Sequence, residues 1–334
     1  MKSPITGKDM KMQREETTLT YRKEMFPVVY HYYLCEDSGE RFTDDTLDTI
    51  NIVQVQNQYR EKYGIPFAED IKRIREKYGV SASKISEILG LGTNTYRLYE
   101  VGEMPSVANG RLILSVKEPL EFIKQVEASS HLLTEKEKEK YLLKAKNLHQ
   151  QEQNNLWNRL FEQRIFSKQV PDEYTGYKEP DLDKIAQVIS CFSGNTTLYK
   201  TKLNKLLFYS DFYAYKTTGF SITGISYKAI PFGPVPAEYD KLYIRLCDDQ
   251  KLSINQVLFT NGNYGEQIKA SVDFDPGLFK PAELEALNNV VNVFGNKNTE
   301  EIVMISHAEK AWIENEKDKK LISYQKYSFD LVGV

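Results

Sequence analysis

The segment YKTKLNKLLFYSDFYAYKTTG, residues 199–219, constrains the fold more than any other. Tyr199, Leu203, Leu206 and Leu207 form one apolar stripe at helical spacing, and Phe208, Phe212 and Tyr215 form a second. A helix with two apolar stripes is buried on two sides. It must therefore lie at the centre of a domain, with chain available to cover both flanks. Gly219 stops it. The chain beyond supplies the cover: a short strand in GISYKAI, a rigid turn in PFGPVP, and a helix starting near Ala237. Two strands follow, in LSINQVLFT and EQIKASVDF, then a helix from Pro281 to Phe294 and a closing block from Thr299 to Tyr327. Helices and strands in mixed order predict an α+β module over residues 181–334.

Three further regions precede it. Residues 1–64 open with the alternating, aromatic-rich run TLTYRKEMFPVVYHYYLC, read as strands, and continue into a helix over 46–64 that closes at Gly64-Ile65-Pro66. Residues 65–127 are helical and broken by Gly79, Gly90, Gly92 and Gly102. Residues 128–180 hold a charged helix over 134–166, opened by a Thr134/Glu137 capping box, and a polar linker over 167–180. That helix has an apolar face in Leu142, Leu143, Ala145, Leu148, Leu156, Trp157, Leu160 and Phe161, suited either to pairing two chains or to a solvated spacer.

Bulk properties narrow the function classes. A net charge of −3 gives no global attraction to nucleic acid, so any DNA contact must come from a local motif. The three cysteines, Cys35, Cys191 and Cys247, are far apart and suggest no disulfide framework, which fits a cytoplasmic setting. No run of about 18 apolar residues exists, so no membrane partner is expected.

The first region contains two five-residue frames, Ser-Pro-Ile-Thr-Gly at residues 3–7 and Cys-Glu-Asp-Ser-Gly at residues 35–39. A zinc knuckle would place cysteine at Ser3, Thr6, Cys35 and Ser38. Only Cys35 is one, and hydroxyls are poor zinc ligands. His31 is no substitute, because residues four apart on a strand lie ~13 Å apart. No metal and no other cofactor are expected. Hydrogen bonds among Ser3, Thr6 and Ser38, with packing of Tyr21, Phe26, Tyr30, Tyr32, Tyr33 and Phe42, should replace the metal.

In the second region, EDIKRIREKYGVSASKISEILGLGTNTYRLYEVGEMPS reads as helix, Ser81-capped helix, Gly-containing turn and third helix from Thr93 to Val101. The order resembles the Xre-type helix-turn-helix, which implies a core pair between Arg75 and Glu100. Thr93, Asn94 and Arg97 should face solvent, where asparagine can grip adenine and arginine guanine. Thr95 and Lys84 could contact phosphate. With the degenerate knuckles in front, residues 1–125 resemble MqsA-type antitoxins. That family's pattern places Asn94 on its base-reading asparagine and Leu98 on its base-reading arginine, with Arg97 one residue earlier. One residue turns a helical side chain by about 100°, so a different operator is implied. Xre-type repressors generally bind as dimers, so a homodimer is expected.

The blocks Lys-Leu-Asn-Lys-Leu-Leu-Phe-Tyr, Tyr-Lys-Ala-Ile-Pro-Phe-Gly-Pro-Val, Ser-His-Ala-Glu-Lys-Ala-Trp and Ile-Ser-Tyr in residues 181–334 resemble the SocA-like, or Panacea, domain. The resemblance implies an antitoxin that meets a protein toxin through this domain. Phe232, Gly233, Pro234, Val235 and Tyr239 form the expected contact rim, since a rigid aromatic turn costs little entropy to bind with; packing on its own core is the alternative. Ser306, His307 and Glu309, with Asp211 or Glu238, are the nearest approach to a catalytic set. There is no Gly-Lys-Ser/Thr phosphate loop, no metal-spaced histidine pair and no Gly-x-Ser-x-Gly elbow. No catalytic residue is expected, and His307 and Trp312 should pack or cap a helix start. The fold expectation is thus multidomain: a metal-free zinc-ribbon-like module, an all-α helix-turn-helix, a charged connecting helix and an α+β Panacea domain. The function it implies is a type II antitoxin that binds its toxin and, through operator DNA, its own promoter; a regulator or proteolytic adaptor without a toxin is the alternative.

Overall fold

The computed structural model describes residues 1–166, 170–259 and 262–334, with the side chains of residues 157–159 also outside the described set. The described chain divides into two compact units. One joins Met1–Val55 to Gln163–Val334, and the other is Gln56–Glu162.

In the first unit, β1 (Lys11–Tyr21) and β2 (Glu24–Leu34) form an antiparallel hairpin paired without interruption over its length. Arg22 and Lys23 make its two-residue turn with φ of 49° and 72°, the left-handed pair that matches strand twist. β3 (Arg41–Phe42) pairs with Tyr33 and Leu34, and α1 (Asp45–Tyr63) follows. The far edge of β2 is closed by side chains. Asn51 gives and receives a hydrogen bond with the backbone of His31 at 2.9 and 2.8 Å, and Gln54 does the same with Val29 at 2.9 and 2.9 Å. Each amide imitates one rung of a neighbouring strand. Two residues earlier on the same edge is Pro27, which has no N–H to satisfy. The helix therefore does for this edge what a fourth strand would do.

The second unit is helical: α2 (Ala68–Tyr78), α3 (Ala82–Ile88), α4 (Thr95–Glu100), α5 (Val107–Ser115), α6 (Pro119–Ala128) and α7 (Glu135–Asn154). Its core holds Ile71, Ile74, Tyr78, Ile85, Tyr96, Ile113 and Phe122, with Tyr78 stacked on Phe122 at 3.8 Å. The Thr134/Glu137 capping box forms as expected. The charged helix is not continuous over 134–166: α7 ends at Asn154 and α8 (Leu156–Ile165) starts afresh. Tyr141 and Ala145 are buried in this helical core and Leu142 and Leu148 pack on it, so most of the α7 stripe is covered within the chain. The Trp157 side chain, placed on the expected apolar face, lies outside the described residues.

The rest of the first unit centres on α10 (Lys200–Thr218), preceded by α9 (Leu182–Asn195) and β4 (Leu198–Tyr199). Leu203, Leu206, Leu207, Phe208, Phe212 and Tyr215 are buried, and so are Lys202, Asn204, Lys205, Ser210 and Asp211 between them, while Tyr199, read as the start of the first stripe, is half-buried and belongs to β4. The helix is enclosed on all sides over residues 202–212, and Thr217 in its last turn is exposed. Around it lie β5 (Tyr227–Ile230), β6 (Gly233–Pro236), α11 (Tyr239–Asp248), β7 (Leu252–Leu258), β8 (Tyr264–Ala270), α12 (Pro281–Phe294), α13 (Thr299–His307), α14 (Lys310–Ile313) and α15 (Tyr324–Tyr327). β5 pairs with β6, and a second small sheet has the order β4-β8-β7, all antiparallel. Gly-Pro-Val-Pro, read from sequence as a turn, is the strand β6, because Tyr227–Ile230 pairs with it. Thr260, placed in an expected strand, lies outside the described residues.

The stretch 167–180 is not a free linker where it is described. Thr175 and Tyr177 are buried, Ser221 Oγ donates to Thr175 O at 2.7 Å, and Tyr324 N donates to Glu173 O at 2.9 Å. Residues 167–169 of that linker lie outside the described set. The N-terminal hairpin also packs on the last turns of the chain: His31 meets the Phe329 ring edge-on at 4.7 Å, and Arg14 pairs with Asp330 at 2.9 Å. A hydrogen-bonded chain runs from Gln54 to Gln325 at 2.9 Å and on to the Tyr215 hydroxyl of α10 at 2.5 Å.

Candidate partner-binding site

The four sequence blocks of the C-terminal region meet around one hairpin, the turn from Ile230 to Gly233 between β5 and β6. Three side chains hold its carbonyls. Trp312 Nε1 donates to Ile230 O at 2.7 Å. Lys205 Nζ, from the buried face of α10, donates to Pro234 O at 2.9 Å. His307 makes a hydrogen bond with the Pro231 backbone and stacks on Trp312 at 4.0 Å. Gly233 has φ 94°, and a Cβ there would come within 2.5 Å of Ser306 Oγ and 2.7 Å of Lys205 Cε. Only glycine lets the turn close over the lysine.

Burial sets the electrostatics. Burial pushes the Lys205 ammonium down to about 7, with the Pro234 carbonyl as its acceptor and no counter-ion among the described residues. His307 is also lowered, by burial first and by the nearby Lys205 charge second. A few residues along α10, complete burial raises the Asp211 carboxyl, against four donors that favour its charged form. These are the backbone N–H groups of Ile222 and Thr223 at 2.8 and 2.9 Å, and the hydroxyls of Thr223 and Tyr227 at 2.5 and 2.7 Å. Asp211 thereby ties α10 to the 221–227 approach to β5.

Of the rim expected to face a partner, Phe232 is open to solvent, with 69% of its surface exposed. Tyr239 is half-buried at the start of α11. Gly233, Pro234 and Val235 are buried and form β6. They shape the turn and offer no surface. Of the two readings of this segment, contact rim or packing on its own core, exposure belongs to the apex and packing to the strand behind it, and Ile313 on α14 is exposed as well. Ser306, His307 and Glu309 do not form a relay: Ser306 Oγ donates to Val303 O, while Glu309 accepts from the Tyr209 hydroxyl at 3.0 Å and from Val332 N and Gly333 N. Sequence reading missed Lys205 as a functional residue. Its signal was there: a lysine between Leu203 and Leu206 on a two-striped helix.

A family model, the antitoxin SocA-like, Panacea domain, matches residues 203–313. This segment is a Panacea domain. The match starts on α10, spans the Phe232 hairpin, and ends one residue after Trp312, so the Panacea segment contains the clamp described above. Searches of curated proteins and of solved structures returned no match to the chain.

Two other sets of residues singled out from sequence lie outside the Panacea segment. Ser3, Thr6, Cys35 and Ser38 do converge. Their two turns have the same backbone pattern: Gly7 N bonds to Ser3 O as Gly39 N bonds to Cys35 O, and Ser3 N bonds to Lys8 O as Cys35 N bonds to Glu40 O. Gly7 and Gly39 take φ of 69° and 73°. At the centre Ser3 Oγ donates to Cys35 Sγ at 3.1 Å, Thr6 Oγ1 lies 3.8 Å away, and Ser38 adds side-chain and backbone bonds. The hydroxyls lower the thiol to about 6, Ser3 contributing most. One thiol among three hydroxyls does not fit the donor set of a zinc knuckle, and no three His, Cys, Asp or Glu side chains converge among the described residues. The bonds expected among the three hydroxyls run instead through Cys35.

In the helical unit, Thr93, Asn94 and Arg97 are exposed, Thr95 is half-buried, and Leu98 is exposed. The helix carrying them is shorter than expected, since α4 starts at Thr95. Arg75 Nε and Nη2 meet the two Glu100 oxygens at 2.5 and 3.3 Å, the pair anticipated from sequence. Lys84 is held by Glu87 at 2.8 Å and Glu137 at 3.5 Å, so its charge is offset in place.

Proposed function

We propose that the protein is an antitoxin that neutralises a protein toxin by direct binding through its Panacea domain, with Phe232 as the central contact. The match of residues 203–313 to an antitoxin domain carries this reading. The clamped hairpin supports the choice of surface. A large aromatic held on a turn with three fixed carbonyls loses little conformational freedom on binding, the usual property of an interface anchor. Action is steric, by covering the toxin's working surface, and the protein is a binding partner with no catalytic step of its own. The helical unit supplies the second half of the reading: an Xre-type helix-turn-helix in which Asn94 and Arg97 read operator bases and Thr93 and Thr95 steady the backbone. The Arg75–Glu100 pair and the exposure of Thr93, Asn94 and Arg97 support it.

Co-expression with the product of the adjacent open reading frame tests the first half. Growth should be rescued by the wild-type chain and lost with Phe232→Ala at equal protein level. Rescue that is insensitive to Phe232 would remove this surface from the reading. An electrophoretic shift on the chain's own promoter tests the second half, and salt-insensitive or absent binding would end it.

A further inference from the structure

The N-terminal hairpin treats its two edges differently. Along β2, Val29 and His31 are capped by Gln54 and Asn51, Tyr33 faces β3, and Pro27 has no donor. Along β1 no comparable cap is found among the described residues. Since Val29 and His31 point their backbone groups away from β1, the register makes Met12, Arg14, Glu16, Thr18 and Thr20 the residues whose N–H and C=O point away from β2. All five are exposed, and none has a backbone hydrogen-bond partner among the described residues. The strand contains no proline and its pairing shows no bulge, two of the usual devices that keep an edge from pairing. This edge is open over five outward residues, opposite one closed with four separate devices, and of the usual protections it carries only charge, in Arg14 and Glu16.

We infer that this edge pairs with β1 of a second copy of the chain, making a homodimer with one continuous antiparallel sheet. The charge pattern selects the partner and the register. Antiparallel self-pairing about Glu15 sets Arg14 opposite Glu16 of the second copy, and by symmetry Glu16 opposite Arg14. Met12 faces Thr18 in the same way. Arg14 and Glu16 are both outward-pointing, so these are hydrogen-bonded pairs, and each brings opposite charges together on one face. On the other face Glu15 meets Glu15 of the second copy, each already paired with Arg41 of its own chain at 2.5 Å, whereas pairing about Glu16 would oppose Glu16 to itself and lose both Arg14–Glu16 pairs. Arg14 contacts Asp330 through Nη2 at 2.9 Å, and its guanidinium has further donors for Glu16 of the second copy. The α7 stripe is a weaker route to a dimer, because Tyr141, Leu142, Ala145 and Leu148 already cover the helical core.

Light scattering of the full chain across a concentration series should show a dimer. Thr18→Pro removes an outward N–H that β2 does not use, so the hairpin stays paired while the dimer is lost. Arg14→Glu or Glu16→Arg alone should weaken dimerisation about tenfold by opposing like charges in two symmetric pairs. The double exchange should restore it. The register has its own test: Glu15→Cys, at the two-fold axis, should form an inter-chain disulfide on mild oxidation. Gln13→Cys should not, since it would face Thr17. A wild-type chain that stays monomeric at every concentration overturns the inference. So does a dimer that survives Thr18→Pro and both single reversals with circular dichroism unchanged, which would place the contact elsewhere, such as in the helical unit. Hetero-association through β1 with the adjacent gene product, without self-association, would also overturn it.

Discussion

Lys205 offers the sharpest test of the physical picture. The amine titrates at 10.5 when free and at about 7 beneath the Phe232 hairpin. Between those values the unfolded chain binds more protons than the folded one, so stability rises with pH. From pH 7 to 9.5 the gain from this one group is about 3 kcal/mol, given 1.36 kcal/mol per pH unit of full proton difference. Other groups can be separated. The buried tyrosines, raised by burial, lose stability only above their ordinary range near 10. Cys35, lowered to about 6, adds stability in the same direction between pH 6 and 9, so the comparison is made in a Cys35→Ser background. Trp312 lies within the clamp and Trp157 in the other unit, so Trp157→Phe leaves one local fluorophore. Urea unfolding by Trp312 fluorescence should give the rise with Lys205 present and a curve flatter by about 3 kcal/mol with Lys205→Met. The methionine variant should also be the more stable at pH 6, where the lysine is charged and buried. Equal slopes for the two proteins would show that Lys205 is hydrated, and the clamp would lose its central element.

Other expectations follow from single contacts. Asn51→Ala or Gln54→Ala leaves an N–H and a C=O of β2 without partners and should cost about 2–4 kcal/mol, read as a lowered urea midpoint and faster amide exchange at His31 or Val29. Glu100→Ala strands Arg75, which is only partly exposed, and should destabilise the helical unit by about 1–3 kcal/mol; an unchanged helical unfolding transition by far-ultraviolet circular dichroism would refute the pair's role. Ultraviolet titration of the Cys35 thiolate should centre near pH 6 and move up with Ser3→Ala, the strongest hydroxyl donor. A midpoint near the free-thiol range in wild type would contradict the hydroxyl cluster.

Local order was written in the chain, and much of it could be read. The stripes of α10, the Thr134/Glu137 box, the Pro281–Phe294 helix, Gly7 and Gly39 in paired turns, and the Arg75–Glu100 pair all rest on neighbours a few residues apart or on one recognisable frame. What sequence alone could not give depends on residues far apart meeting. Lys205 had no assigned role in the sequence, and its burial comes only from Pro234 and Gly233 closing over it. Gly233, Pro234 and Val235 could be read either as a contact rim or as core packing, because the strand Tyr227–Ile230 that buries them is paired only in the fold. Asn51 and Gln54 lie in the expected helix over 46–64, where nothing in the sequence shows that they finish a sheet. Period and capping are set by backbone geometry over one or two turns and so survive in the sequence. The desolvation of a lysine, or the pairing of a strand edge, is set by whatever the rest of the chain brings alongside, and that only the tertiary structure decides.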